Sequence, residues 1–82
     1  MTDKEIEEQI IFNEIRQLSP QLEVSFKEKK IARVTERYIA NPPYVLNFLD
    51  DSGADIGEDI KLEDRDQVMI RLIEHIRKNC NV

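Results

Sequence analysis

The residues of this sequence that could do nucleophilic or acid–base chemistry are few. The 82-residue chain contains one histidine, His75, and one cysteine, Cys80. A catalytic cysteine or histidine needs a neighbouring group to activate or orient it. Here the histidine borders an apolar stripe, and the cysteine lies at the end of the last predicted helix. Paired carboxylates need a cleft to act as acid and base. We therefore expect a protein without catalytic activity or cofactor.

Carboxylates are the most concentrated chemical groups of the sequence. The chain has 17 Asp and Glu against 12 Lys and Arg, a net charge of −5. Residues 50–66 alone carry −6, while residues 15–49 carry +3. A carboxylate array of this kind can steer and hold a basic partner. We predict a partner-binding surface made of seven acidic residues: Asp50, Asp51, Asp55, Glu58, Asp59, Glu63 and Asp64.

The same acidic stretch does not fit a calcium-binding loop. An EF-hand loop has oxygen ligands at positions 1, 3 and 5, glycine at position 6 and glutamate at position 12. A loop that starts at Asp51 has Gly53 at position 3 and Ile56 at position 6. A loop that starts at Asp50 has Lys61 at position 12. We therefore predict a solvated acidic turn and no metal site.

A second charged group is basic and supports an alternative function. The predicted order of helix, strands and helix resembles the double-stranded-RNA-binding domain, which contacts RNA through its helices and a loop between strands. In this sequence the last helix begins with residues 63–66, Glu-Asp-Arg-Asp, and not with lysines. The alternative is weak nucleic-acid binding by phosphate contacts of the first hairpin, through Lys27, Lys29, Lys30, Arg33 and Arg37.

The first half of the chain predicts one helix and two strands. Apolar residues recur at helical spacing from Thr2 to Leu18, and a proline then ends this helix. Apolar and polar residues alternate from Leu22 to Phe26, which predicts a half-buried strand. Ile31 to Ile39 is rich in β-branched and aromatic residues. It predicts a second strand that has three residues on one face: Ala32, Val34 and Tyr38.

The second half predicts a third strand, an ambiguous segment and a helix. Tyr44 to Leu49 is the most apolar strand, and Asp-Asp-Ser-Gly then predicts a turn. Ala54 to Leu62 is either a short fourth strand or an acidic loop. Asp64 and Gln67 have the spacing of a capping box at the start of the last helix. Six residues of that helix form one stripe: Val68, Met69, Leu72, Ile73, Ile76 and Cys80.

Together these elements predict a single α+β domain over residues 1–82. We expect a helix, a three- or four-stranded antiparallel meander and a helix, with both helices on one face of the sheet. The single cysteine excludes an internal disulfide framework and favours a reducing compartment. No apolar run is long enough for a signal peptide or a membrane span. We therefore expect a soluble, cytoplasmic protein.

The chain is similar in size, charge and helix–sheet content to small acidic inhibitors of nucleic-acid-binding proteins. Phage-encoded anti-CRISPR proteins and glycosylase inhibitors belong to this class. The resemblance implies an inhibitor or nucleic-acid-mimic decoy that binds a protein with a basic surface. A further alternative is a structural or regulatory homodimer, formed at the exposed edge of the Tyr44–Leu49 strand or its neighbour.

Overall fold

The chain folds into one five-stranded sheet with a helix at each end of the sequence. A computed structural model describes residues 1–16, 20–37 and 39–80. The strands form an antiparallel sheet in which each pairs with its sequence neighbours. This confirms the α+β class and corrects the strand count from three or four to five. The elements are α1 (Asp3–Gln9), β1 (Ile10–Arg16), β2 (Gln21–Phe26), β3 (Lys29–Glu36), β4 (Tyr44–Leu49), β5 (Asp55–Leu62) and α2 (Arg65–Asn79).

The additional strand is β1, which replaces the second half of the predicted N-terminal helix. α1 ends after Gln9 because Ile10 takes an extended backbone, with φ −78° and ψ 129°. Ile10, Ile11 and Phe12 are β-branched or aromatic, and such residues favour strands over helices. Pairing with β2 satisfies backbone groups on one side of this segment. Leu18, in the predicted helix, lies outside the described residues.

The hairpin of β2 and β3 has a tight loop and one irregularity. The alternating residues of β2 point into the core as their spacing predicts. Lys27 and Glu28 form a two-residue loop in which both φ angles are positive, at 50° and 67°. A register shift inserts Ile31 into β3 opposite β2. Ile31 and its neighbour Ala32 are consequently both buried, although they are adjacent in the strand.

β3 ends earlier than the sequence predicts. Its last residue is Glu36, and Ile39, the predicted end of that strand, is fully exposed. The connection to β4 contains a cis peptide bond between Asn41 and Pro42. Tyr38, predicted to share a face with residues of β3, lies outside the described residues.

The ambiguous segment after the acidic turn is a strand, β5, which pairs with β4. It contains a bulge in which residues 57–59 stand opposite the single residue Asn47. Gly57 within the bulge has a φ of 77°. Asn47 is buried, and its Nδ2 donates a hydrogen bond to the carboxylate of Asp59. The fourth predicted strand is therefore present, in an irregular form.

Both helices pack on the same face of the sheet, which we call the helix face. Ile6 of α1 and Leu72 and Ile76 of α2 are fully buried in a single core. The other face, called the open face, has Glu23, Arg33 and Asn47 side by side on β2, β3 and β4. The helix face supplies the core residues of the sheet: Ile10, Val24, Phe26, Ile31, Ala32, Val34, Leu46 and Leu62.

α2 begins and packs as its sequence predicts. The side chain of Asp64 accepts a hydrogen bond from the backbone N–H of Gln67 at 2.8 Å. The side chain of Gln67 accepts from the N–H of Glu63 at 3.1 Å, one residue before the N-cap. The capping box is therefore only half formed. Within the described residues, neither helix is long and apolar enough to cross a membrane.

Candidate interaction surface

The seven carboxylates of the predicted partner-binding surface lie along one side of the molecule. They follow the chain from the β4–β5 turn, along β5, to the start of α2. β5 is an edge strand, and six of the seven residues are exposed, with Asp50 half-buried. We call this set the acidic edge: Asp50, Asp51, Asp55, Glu58, Asp59, Glu63 and Asp64.

Two carboxylates of the acidic edge are neutralised by ion pairs. Asp51 accepts from the Nζ of Lys29 at 2.6 Å, and this hydrogen bond raises the pKa of Lys29. Asp55 accepts from the Nη2 of Arg33 at 2.6 Å on the open face. Because each carboxylate already has a cation beside it, these two residues add little net charge for a partner.

Three other carboxylates of the edge are fixed by hydrogen bonds from uncharged donors. Asp50 Oδ1 accepts from the N–H of Ser52 at 2.9 Å, the Oγ of Ser52 at 2.6 Å and the N–H of Ala54 at 3.0 Å. The Ser52 hydroxyl, and after it these N–H groups, lower the pKa of Asp50. Asp59 accepts a hydrogen bond from the buried side-chain amide of Asn47, and Asp64 caps α2. These carboxylates are therefore pre-positioned anions.

The two remaining carboxylates of the edge are available to a partner. The side chains of Glu58 and Glu63 form no hydrogen bond or ion pair within the described residues. Glu58 lies in the bulge of β5, and Glu63 follows the end of that strand. Of the seven predicted residues, these two can pair with an incoming cation without breaking an internal contact.

A shallow groove lies at the end of the acidic edge, where β3 ends and α2 begins. Its volume is about 530 Å³. The Nε of Arg65 donates to the hydroxyl of Tyr44 at 3.3 Å in the wall of this groove. We call it the acidic groove, since four carboxylates line it beside Pro43, Tyr44 and Arg65: Glu36, Glu63, Asp64 and Asp66.

Two of the four carboxylates that line the acidic groove are absent from the sequence prediction. Asp66 belongs to the acidic stretch of residues 50–66 and could have been included on that basis. Glu36 lies in the stretch of residues 15–49, whose net charge is positive. Only the pairing of β3 with β4 brings Glu36 to the groove, beside Tyr44.

The basic residues of the alternative prediction are mostly engaged within the molecule. The Nη2 of Arg37 donates to the carbonyl oxygen of Pro42 at 3.2 Å. The Nζ of Lys27 lies 5.6 Å from the ring centre of Phe26. Lys27 forms no ion pair within the described residues. The other three basic residues are in ion pairs: Lys29 with Asp51, Lys30 with Glu23, and Arg33 with Asp55.

The histidine and cysteine lie at the C-terminal end of α2. His75 stacks on Phe48, with ring centres 4.0 Å apart and an interplanar angle of 12°. Burial, and then the charge of Lys29, lower the pKa of His75. Cys80 is half-buried against the core. Among the described residues, no group of three or more His, Cys, Asp and Glu side chains is arranged to hold a metal ion.

The acidic edge and the acidic groove are thus the features on which a function can be argued. They combine fixed anions, unengaged carboxylates and an aromatic ring on one side of the sheet. A comparison of the chain with protein-family models, curated proteins and solved structures found no match.

Proposed function

We propose that this protein is a non-catalytic binding protein that captures a basic segment of another protein at the acidic edge and the acidic groove. The observation that carries the proposal is the groove, which four carboxylates line together with Tyr44, Pro43 and one cation, Arg65. A Lys or Arg side chain in this groove would meet both negative charge and an aromatic ring. The carboxylates along β5 would meet further cations of the same segment.

The hydrogen bonds within the acidic edge support this proposal. Asp50, Asp59 and Asp64 are held before any partner arrives. A surface that is already ordered loses less conformational entropy on binding than a flexible one. Glu58 and Glu63 supply carboxylates that are free to pair, so the edge combines fixed and available anions.

We further propose that the partner is a nucleic-acid-binding protein in the cytoplasm, for which this protein acts as an inhibitor or decoy. Carboxylates carry the charge sign of phosphates, so a basic surface built for nucleic acid also attracts an acidic strand. Bound at the acidic edge, such a surface would be unable to reach its nucleic acid. The protein and the nucleic acid would then compete for one site.

A basic peptide tests the binding surface directly. The probe is an arginine decapeptide, titrated into the protein by isothermal calorimetry. We expect Glu63→Lys with Asp66→Lys to weaken binding by roughly tenfold or more, because two attractions become repulsions. The matched control is Glu7→Lys with Glu8→Lys, two exposed residues of α1. The control changes the net charge equally and should weaken binding by less than about threefold.

Two results would contradict the proposal. The first is equal loss of peptide affinity in the groove variant and the α1 control, because binding would then follow net charge alone. The second is a failure of the wild-type protein to displace a labelled DNA duplex from the same peptide. The wild-type protein should displace the duplex and the groove variant should not. Failure of the wild-type protein to displace it would remove the decoy mechanism.

The nucleic-acid alternative is tested by adding labelled duplex RNA or DNA to the protein alone. Three of the five basic residues already have carboxylate partners, so we expect no binding at moderate salt. Phosphate contacts would instead produce an affinity that falls steeply with salt concentration. Binding of that kind would replace the present proposal by the basic-hairpin alternative.

A further inference from the structure

The strand at the other edge of the sheet, β1, is unpaired on its outer side within the described residues. It lies at the opposite end of the strand order from β5 and pairs with β2 alone. Residues 11–15 are all exposed, and three of them are large and apolar. Ile11 is 52% exposed, Phe12 39% and Ile15 47%. β1 thus combines unpaired backbone groups with exposed apolar side chains.

The two edges of the sheet differ in how they resist pairing with another strand. β5 has a three-residue bulge and the charged residues Glu58 and Asp59 within it, and both features obstruct a second strand. β1 has no proline and no lysine, and its two charged residues, Glu14 and Arg16, lie near its end together with its irregularity. Proteins protect sheet edges that must stay unpaired. β1 is therefore the less protected edge, because residues 10–13 carry neither charge nor irregularity.

We propose that two copies of this chain form a dimer by antiparallel pairing of their β1 strands across a two-fold axis at Asn13. Residues directly opposite in an antiparallel pair share a face of the sheet. With the axis at Asn13, Ile11 of each copy lies opposite Ile15 of the other, on the open face. Phe12 lies opposite Glu14, and Asn13 lies opposite itself. Residues 11–15 of each β1 are then paired, and the irregularity between Glu14 and Arg16 lies at the end of the paired segment.

This register is favoured over its neighbours by the side chains of β1 itself. An axis at Glu14 would place two like charges opposite each other, which is destabilising. An axis at Phe12 would separate Ile11 from Ile15 and leave Ile15 without a partner in the other copy's β1. The axis at Asn13 pairs isoleucine with isoleucine twice. The occupant of the edge that fits these residues is therefore a second copy of the same strand.

The rest of the molecule is compatible with this pairing. Each acidic helix α1 leads into β1 at Ile10. In the dimer the two Ile10 residues lie at opposite ends of the pair, about 20 Å apart. Repulsion between the helices is screened over that distance. The dimer would have one ten-stranded sheet with β5 at each outer end. Both acidic edges would remain free, and the pairing does not depend on their function.

Sedimentation equilibrium of the full chain tests the dimer. Over about 5–500 µM, we expect the wild-type mass to rise from one chain to two, as for a small interface. Ile11→Lys with Ile15→Lys should weaken association at least tenfold, because lysines would face lysines across the pair. The matched control is Ile39→Lys with Ile70→Lys, at two other exposed isoleucines. The control should dimerise as the wild type does.

A cysteine at the axis tests the register while Ile11 and Ile15 stay in place. Asn13→Cys, in a Cys80→Ser background, should form a disulfide-linked dimer on mild oxidation, since residues opposite each other in a sheet are within disulfide reach. Glu58→Cys in the same background is the control on the other edge and should cross-link at least tenfold more slowly. A monomeric wild type, dimerisation unaffected by the β1 lysines, or equal cross-linking of the two cysteine variants would overturn the proposal.

Discussion

Lys27 and Glu28 are two ordinary residues in a loop conformation that suits glycine and asparagine. Both have positive φ angles, and the loop between β2 and β3 has only these two residues. Two-residue hairpins with positive φ at both positions favour Asn-Gly. The sequence reveals a polar turn at this place but lacks that signal. The flanking strands therefore impose the conformation on the loop.

Replacement of Glu28 by glycine should stabilise the protein. Glycine adopts positive φ without the steric cost of a side chain, while it loses more entropy on folding. We expect Glu28→Gly to raise the free energy of unfolding by about 0.5–1 kcal/mol, measured by urea denaturation. The control is Glu28→Ala, which keeps the steric cost and should change stability little. Equal effects of the two variants would show that the backbone is not the cause.

His75 should make stability depend on pH below about 7. Burial, followed by the charge of Lys29, lowers its pKa below the ordinary value of 6.5. The unfolded chain then takes up its proton at a higher pH than the folded chain. The contribution of neutral His75 to the free energy of unfolding is therefore fully present above about pH 7. It decreases as the pH falls below 6.5 toward the pKa of His75 in the folded chain.

The measurement is urea denaturation at pH 7, 6 and 5, with NMR titration of the His75 ring. His75→Phe keeps an aromatic ring against Phe48 and should remove most of the decrease. Asp50 and Glu5 have lowered pKa values, so their contribution is lost at a lower pH, below about 4. If the free energy of unfolding of His75→Phe decreases with pH as much as that of the wild type, other titratable groups cause the pH dependence.

Individual residues of the candidate site were only partly predictable. The acidic stretch is visible in the sequence, and the edge position of β5 places its members on one side of the molecule. The ion pairs of Asp51 and Asp55 depend on the pairing of β3, β4 and β5, which composition cannot reveal. Glu36 reaches the groove for the same reason. Charge is readable from sequence, but the neutralisation of charge is a tertiary property.

At the level of elements, β1 shows how hydrophobic spacing can mislead. Ile6 and Ile10 are compatible with one helical face, and both are buried. The residues that follow do not continue a buried helical face. Ile11, Phe12 and Ile15 lie in the edge strand β1, and their side chains are exposed. A helix prediction assumes that apolar residues are buried. Apolar residues left exposed at an edge have no signature in that pattern.

The bulge of β5 depends on the backbone of Gly57. Its φ of 77° is unfavourable for residues with a side chain, while no atom lies within 4 Å of an added Cβ. We expect Gly57→Ala to lower the free energy of unfolding by about 1 kcal/mol through the backbone alone. Gly57→Asn should cost less, because asparagine tolerates this conformation. Equal losses in urea denaturation would indicate that the bulge rearranges.

On the scale of the whole molecule, the main contacts of α1 within the described residues are the buried side chain of Ile6 and the ion pair of Asp3 with Arg77. Ile6 is fully buried in the core shared with α2. Arg77 Nη2 donates to Asp3 Oδ1 at 2.5 Å and to the carbonyl oxygen of Met1 at 3.0 Å. Both partners of the ion pair are partly exposed. The apolar contact should therefore provide most of the attachment.

Two substitutions separate these contributions. Ile6→Ala removes buried methyl groups and leaves a cavity, so we expect it to lower the free energy of unfolding by about 2–4 kcal/mol. Arg77→Ala removes a solvent-exposed ion pair and should cost less than about 1 kcal/mol. Chemical denaturation of both variants measures the difference. A larger loss for Arg77→Ala would show that the ion pair, and not the core, holds α1.

The order of the strands in the sheet follows their order in the chain, and this affects both the rate of folding and the order in which the elements form. Each strand meets the next one along the chain, so every hairpin closes a short loop at small entropic cost. The contact of Arg77 with Asp3 instead joins positions 74 residues apart. We expect the central hairpins to form in the transition state and α1 to dock after it. Ile6→Ala should then accelerate unfolding and leave the refolding rate nearly unchanged.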